Sequence, residues 1–256
     1  MIRYVDSFHA LATTPFADGV NALCWTRTLP GDFAEVVARL GPGEGIVGLD
    51  EDVLQALPVS AAGRAAIACL LADLRLLRDH GLGPELNCIH GYPRDEEAGA
   101  LPTDVYSFHA DRAPIAAETW LCTYHGAPSE GVRNTEAQRR IDIPAYRAEL
   151  LRRFAETGES DPATSGGEAS PSSEDLSITT IPAAGALIDA TAFAAYLEET
   201  CHDLHYHLLP HAQPYSFGIG HLWRIAVAYP ESPVPPCIHR APNTGVGDPP
   251  RLLLIS

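Results

Sequence analysis

The segment Tyr106-Ser-Phe-His109-Ala-Asp111-Arg112 carries a His-x-Asp pair in a stretch with strand character. Residues two apart on a strand project to one face, so His109 and Asp111 can offer an imidazole and a carboxylate to one point. A third ligand must come from elsewhere, and Pro236-Cys-Ile-His239-Arg-Ala-Pro-Asn243 offers His239. Two histidines and one carboxylate on one face of an octahedron hold a non-heme ferrous ion and leave the opposite face open for substrate and oxygen. Arg251 follows twelve residues after His239 and opens the apolar run Leu252-Leu-Leu-Ile255. Thr244 to Pro250 reads as a turn, so the two strands can run antiparallel and bring Arg251 beside His239. A guanidinium there would grip a carboxylate in a bidentate fork.

Further polar and aromatic residues are candidates for holding a small substrate. Tyr106 and Arg112 flank the His-x-Asp pair, and Asn243 follows the distal histidine. Tyr124 lies on the next strand, Trp223 and Arg224 are adjacent on another and so face opposite ways, and Arg133-Asn134 follows a loop. Cys88-Ile-His90 and Cys237-Ile-His239 share a Cys-x-His spacing, but without a CxxC partner buried thiols explain them better than zinc. The run Cys201-His-Asp-Leu-His-Tyr-His-Leu-Leu-Pro-His211 reads as a helix end leading into a polar strand, with a second metal site or a pocket wall as the sharper alternative. No GxSxG nucleophile elbow is present, which disfavours a Ser-His-Asp hydrolase.

These residues need a scaffold that gathers distant strands. A helix is expected over Gly31 to Leu40, and a clearer one over Ala61 to Asp79, where Ile67, Leu70, Leu71, Leu74 and Leu77 form a buried stripe ended by Gly81 and Gly83. Val20 to Trp25 reads as a strand. So do Glu85 to Tyr92, Val105 to Asp111, Thr119 to His125, Tyr215 to Gly218, His221 to Tyr229, Pro236 to Arg240 and Arg251 to Ile255. Helices are expected over Ile143 to Glu156 and Thr191 to Asp203. Between them the polar stretch 158–175 reads as a surface insertion in a single domain spanning 1–256. Helices at 31–80 beside many short strands predict an α+β chain with an antiparallel sandwich or jelly roll.

Composition narrows the function classes. The net charge is −16, and all 17 basic residues are arginine. Such a surface repels phosphate backbones, so no nucleic-acid partner is expected. The lack of lysine removes Schiff-base and Walker-lysine chemistry. No apolar stretch is long enough to span a bilayer, no secretory signal is readable at Met1 to Ala10, and six scattered cysteines fit a reducing cytoplasm.

The order His-x-Asp, distal His, then Arg on the following strand resembles the Fe(II)/2-oxoglutarate oxygenase superfamily. That resemblance implies a cupin-like double-stranded β-helix with N-terminal helices on its outer face. It also implies Fe(II) on His109, Asp111 and His239, 2-oxoglutarate as cosubstrate on Arg251, and O2 as oxidant. Strands like the one bearing Trp120 and Thr123 face the cofactor in that superfamily, which makes those two residues cofactor-contact candidates. Hydroxylation, desaturation or ring closure of a small, amino-acid-like compound is the implied reaction. Halogenation is disfavoured, because halogenases of this kind replace the carboxylate ligand. The pieces GVNALCWTR, FHADR, LCTYHG, IHRAP and RLLL also resemble a bacterial family described as a domain of unknown function, which suggests that FHADR, LCTYHG and IHRAP share one site. Two other readings keep the same ligands: a non-catalytic cupin-like metal-binding or sensor protein, and a cupin dioxygenase that needs no cosubstrate and binds substrate on Arg251.

Overall fold

A computed structural model describes residues 1–95, 101–157, 189–245 and 247–256. The chain is a mixed α+β protein built on a large, mostly antiparallel sheet. Seven strands form it: β1 (Ile2–Val5), β2 (Ala22–Trp25), β3 (Ile46–Leu49), β4 (Glu85–Ile89), β5 (Glu118–His125), β10 (Leu222–Ala226) and β12 (Arg251–Ile255). Their order is β1-β2-β10-β5-β12-β4-β3, and only β1 and β2 run parallel. A smaller sheet of β11 (Ile238–Arg240), β6 (Glu130–Val132) and β9 (Tyr215–Ser216) lies against it, and β7 (Ala137–Arg139) pairs with β8 (Tyr206–Leu208).

Strand alternation divides the large sheet into two faces. Leu23, Leu86, Cys88, Trp120, Cys122, Tyr124, Leu222, Leu252 and Leu254 turn to one side, where four helices cover them. These are α1 (Phe8–Thr13), α2 (Phe33–Leu40), α3 (Glu51–Ala56) and α4 (Ala61–Asp79). Ile89, Leu121, Trp223, Ile225 and Leu253 turn the other way and pack on Phe217 and Cys237 of the smaller layer. The second interlayer space holds the site residues discussed below.

The helix over Ala61–Asp79 matches its expected bounds because its signals are local. Ser60 caps it by accepting from Gly63 N–H, the stripe from Ala66 to Leu77 is buried, and Gly81 takes a positive φ of 85° just beyond the end. Helix α2 is capped by Asp32, and α5 (Pro144–Glu156) opens on a proline at its first turn.

Several expected elements are shorter, among them the strands observed at Glu85–Ile89, Tyr215–Ser216, Leu222–Ala226 and Ile238–Arg240, and in two further cases the cause is visible. The strand over Val105 to Asp111 reduces to bridges centred on His109, because Asp104 turns the chain before it: its side chain accepts from Tyr106 N–H and its carbonyl from Ser107 N–H. The helix over Thr191 to Asp203 ends at Glu199 as α6 (Ala190–Glu199). Cys201, left-handed at φ 58°, breaks it before a short turn at His202–Leu204. The stretch 158–175 lies outside the described residues.

Candidate metal centre

His109 is bracketed by two other histidines. It forms antiparallel bridges to His239 on one side and His205 on the other. His109 and His239 exchange both backbone hydrogen bonds, at 2.9 and 2.8 Å. Residues directly opposite on neighbouring strands share a face, so the three rings line up in one row. Ring centroids of His109 and His239 are 4.7 Å apart, and those of His109 and His205 are 5.6 Å apart.

Asp111, two residues on from His109, returns its carboxylate to the same face as the spacing predicts. Its Oδ1 lies 3.9 Å from His109 Nε2 and its Oδ2 lies 3.8 Å from His239 Nε2. One ligand atom from each residue falls within 4.8 Å of the others, and among the described residues no other such cluster occurs. Bonds of about 2.0–2.2 Å to one ion would draw these donors inward by only a fraction of an ångström to about 1 Å.

The proton arrangement suits a cation. His109 Nδ1 contacts the Ser107 carbonyl at 2.8 Å and His239 Nδ1 contacts the Cys237 carbonyl at 3.3 Å. A carbonyl only accepts, so both Nδ1 atoms carry the proton and both Nε2 atoms keep a lone pair for a metal. Burial, followed by the neighbouring His239, pushes the His109 pKa down to about 4, so that ring is neutral at pH 7. Burial raises the Asp111 carboxyl, but His239, a 2.6 Å hydrogen bond from the Thr119 hydroxyl and His109 together outweigh it and leave the pKa lowered. Two imidazoles and one carboxylate suit a divalent transition ion better than an all-oxygen ion such as Mg2+ or Ca2+.

Arg251 is 2% exposed and sits on the inner face of the large sheet. Its Nε donates to Ala127 O at 2.8 Å, Nη1 to the Tyr92 hydroxyl at 2.8 Å, and Nη2 to the Ser129 hydroxyl at 2.9 Å and more weakly to Thr123 Oγ1 at 3.5 Å. All four acceptors are neutral, and among the described residues no carboxylate pairs with it. Burial accordingly lowers its pKa from the ordinary arginine value. Two residues connect Arg251 to the triad. The Ser129 carbonyl accepts from Phe217 N–H, and the Phe217 ring lies 6.4 Å from that of His239.

The remaining candidates divide by position. Thr123 faces inward with Arg251, and Trp223 stacks on Phe217 at 4.3 Å while donating to the Phe217 carbonyl. Tyr106 accepts from Tyr92 N–H and so stands behind Arg251, and Asn243 accepts from Arg94. Trp120, Tyr124 and Arg224 are corrected: strand alternation turns all three to the helix-covered face. Trp120 is fully buried there, Tyr124 donates to Asp73 at 2.6 Å, and Arg224 binds the Leu11, Ala12 and Thr14 carbonyls at the end of α1 and pairs with Glu118. Arg112 pairs with Asp203 and Glu198, Arg133 pairs with Glu136 at the surface, and Asn134 donates to Pro236 O, which fixes the approach to β11. Each is occupied structurally.

Sequence reasoning missed Ser107, Thr119, Ser129 and Tyr92, and it left His205 in a His-rich run for which a pocket wall was only the alternative reading. His205 is 3% exposed and its Nδ1 lies 2.6 Å from the Ser107 hydroxyl. The other histidines of its run go elsewhere: His202 packs near Tyr196, and His207 meets the Tyr146 hydroxyl. In both Cys-x-His pairs the thiol is buried, and all six cysteines are free. Among the described residues no helix is long and apolar enough to cross a membrane. No known family model, no curated protein and no solved structure matches the chain.

Proposed function

We propose that the chain catalyses Fe(II)- and 2-oxoglutarate-dependent oxidation of a small molecule within a double-stranded β-helix. The fold reading is supported by the way successive strands alternate between layers. β4, β5, β10 and β12 belong to the large sheet, while the His109 segment, β6 and β11 fall between them in sequence and join the opposite layer. Two interleaved antiparallel layers are what a jelly roll requires.

The observation that carries the functional reading is one interlayer space with two unfinished halves. One is a His-Asp-His cluster with lone pairs converging. The other is a buried guanidinium with no acid partner among the described residues. A buried cation without a counter-charge is costly, and an incoming carboxylate removes that cost. His109, Asp111 and His239 would hold Fe(II), and Arg251 would bind a carboxylate of 2-oxoglutarate with Ser129, Tyr92 and Thr123 orienting the guanidinium. Bound Fe(II) supplies oxygen activation coupled to decarboxylation of the cosubstrate. The protein contributes imidazoles oriented by the Ser107 and Cys237 carbonyls, a carboxylate held by Thr119, and an apolar wall of Phe217 and Trp223 that excludes water.

The test is aerobic turnover of 2-oxoglutarate to succinate by iron-loaded protein, with His239→Ala as control. Slow uncoupled turnover in the wild type, lost in His239→Ala, is expected even before the substrate is known. Tight iron binding by the wild type without any 2-oxoglutarate consumption or binding would favour the sensor or cosubstrate-free readings.

A further inference from the structure

We infer that the outer face of the smaller layer carries a second anion site, which takes a small molecule bearing a carboxylate or phosphate. A cavity of about 460 Å3 opens there, lined in part by Arg94, Arg140, Arg240, Tyr106, Phe108 and Asn243. Phe108 and Arg240 alternate with His109 and His239 along their strands, so this cavity lies on the reverse side from the triad. The inference stands on these residues alone and does not depend on the metal.

Three of the chain's 17 arginines meet at this cavity, although the protein as a whole carries −16. Their acids do not balance them. Arg240 is neutralised by Glu130, which it meets through Nε and Nη2 at 2.8 and 2.6 Å. Arg94 donates only to neutral oxygens, Asn243 Oδ1 and Thr244 O at 3.1 Å each, and lies 4.1 Å over the Tyr106 ring. Arg140 donates through Nη1 to the Pro102 carbonyl at 2.7 Å. Among the described residues neither Arg94 nor Arg140 has an ion-pair partner. Asp104 also lines the cavity, but its two oxygens are engaged by the Tyr106 and Asp95 backbone N–H groups. Among the described residues the balance is three guanidiniums against two carboxylates, those of Glu130 and Asp104.

The fixed positions of these cations point to a ligand more than to chance surface charge. Stacking on Tyr106 holds Arg94, and the Pro102 carbonyl holds Arg140, so little side-chain entropy remains to be lost on binding. Planar guanidiniums present forked donors that match the oxygens of a carboxylate or phosphate. Phe108 and the Tyr106 ring add an apolar wall, so the fitting ligand joins an oxyanion to a short hydrocarbon or ring portion. Asn243 can additionally donate an amide N–H.

Calorimetric titration of the full, metal-free chain with inorganic phosphate and, separately, with propionate tests this. Saturable binding of at least one probe at roughly millimolar Kd is expected. Phosphate alone would assign a phosphoryl ligand and propionate alone a carboxylate. Arg140→Gln and Arg94→Gln should each weaken the binding about tenfold or more, Arg140→Lys should restore part of it, and Arg75→Gln, whose guanidinium pairs with Glu51 elsewhere on the surface, should leave it unchanged. A matching readout is a probe-induced rise in Tm that the Arg140→Gln protein, checked to be folded, no longer shows. No saturable binding of either anion would overturn the inference, and so would binding insensitive to Arg140→Gln and Arg94→Gln or abolished by Arg75→Gln.

Discussion

Two arginines are buried against opposite faces of the large sheet, and they are completed in opposite ways. Arg27, on the helix-covered face, meets both oxygens of Asp73 at 2.7 Å, and the Tyr124 hydroxyl donates to the same carboxylate. Arg251, on the inner face, has only hydroxyls and a carbonyl. The same side chain is therefore a closed structural ion pair on one side and a guanidinium held by neutral acceptors on the other. The histidines follow the same division, since on the inner face the His109 and His239 rings converge with the Asp111 carboxylate. What separates scaffold from site in this molecule is which groups lack a partner of their own.

Acid should break the inner face with the largest effect. Burial holds His109 down at about 4 and His205 down at about 3 in the folded chain, against about 6.5 when unfolded. Their contribution is fully present above the unfolded value. It is lost as pH falls from about 6.5 toward those folded values, because only the unfolded chain takes up the protons, at up to about 1.4 kcal/mol per pH unit for each ring. Urea denaturation across that window should show the decline, with a shallower slope in His205→Gln. A flat profile would mean these rings are not buried and neutral.

Asp73→Ala should come next. It leaves Arg27 buried and unpaired, which costs about 3–5 kcal/mol of stability without a direct effect on metal or anion binding at the inner face. Arg251→Gln should do the reverse. Stability should change by less than about 1 kcal/mol, since an uncompensated cation is removed together with its hydrogen bonds, while 2-oxoglutarate binding should weaken roughly 30-fold or more. Equal stability losses in the two variants would erase the contrast. The smallest effect is expected from Trp120→Phe, which loses a hydrogen bond to Glu118 and some packing, about 1 kcal/mol by chemical denaturation, with 2-oxoglutarate affinity unchanged. Weaker cosubstrate binding in that variant would return Trp120 to the site.

Legibility in the sequence followed the range of the interactions. Helix α4 was readable because its cap, stripe and terminating glycine are all local. The shared face of His109 and Asp111 was readable from a two-residue spacing. The directions of Trp120, Tyr124 and Arg224 were not. Residues from Trp120 to Tyr124 on β5 are all buried, so the strand offers no polar alternation to tell its faces apart. His205 was hidden for another reason: it joins the site by pairing with His109, a contact between distant parts of the chain inside an otherwise ordinary His-rich run. The solvating roles of Ser129 and Tyr92 around Arg251 are equally nonlocal.

The most direct measurement is anaerobic titration of Fe(II)-loaded protein with 2-oxoglutarate, followed by visible absorption. A chelated keto acid on ferrous iron gives a metal-to-ligand charge-transfer band. That band should saturate in the wild type, require much more 2-oxoglutarate in Arg251→Gln, and be absent in Asp111→Ala because the iron is not held. A wild-type protein that binds iron but develops no band at saturating 2-oxoglutarate would contradict a chelated cosubstrate at this centre. Unchanged titrations in both variants would contradict the assignment of these residues.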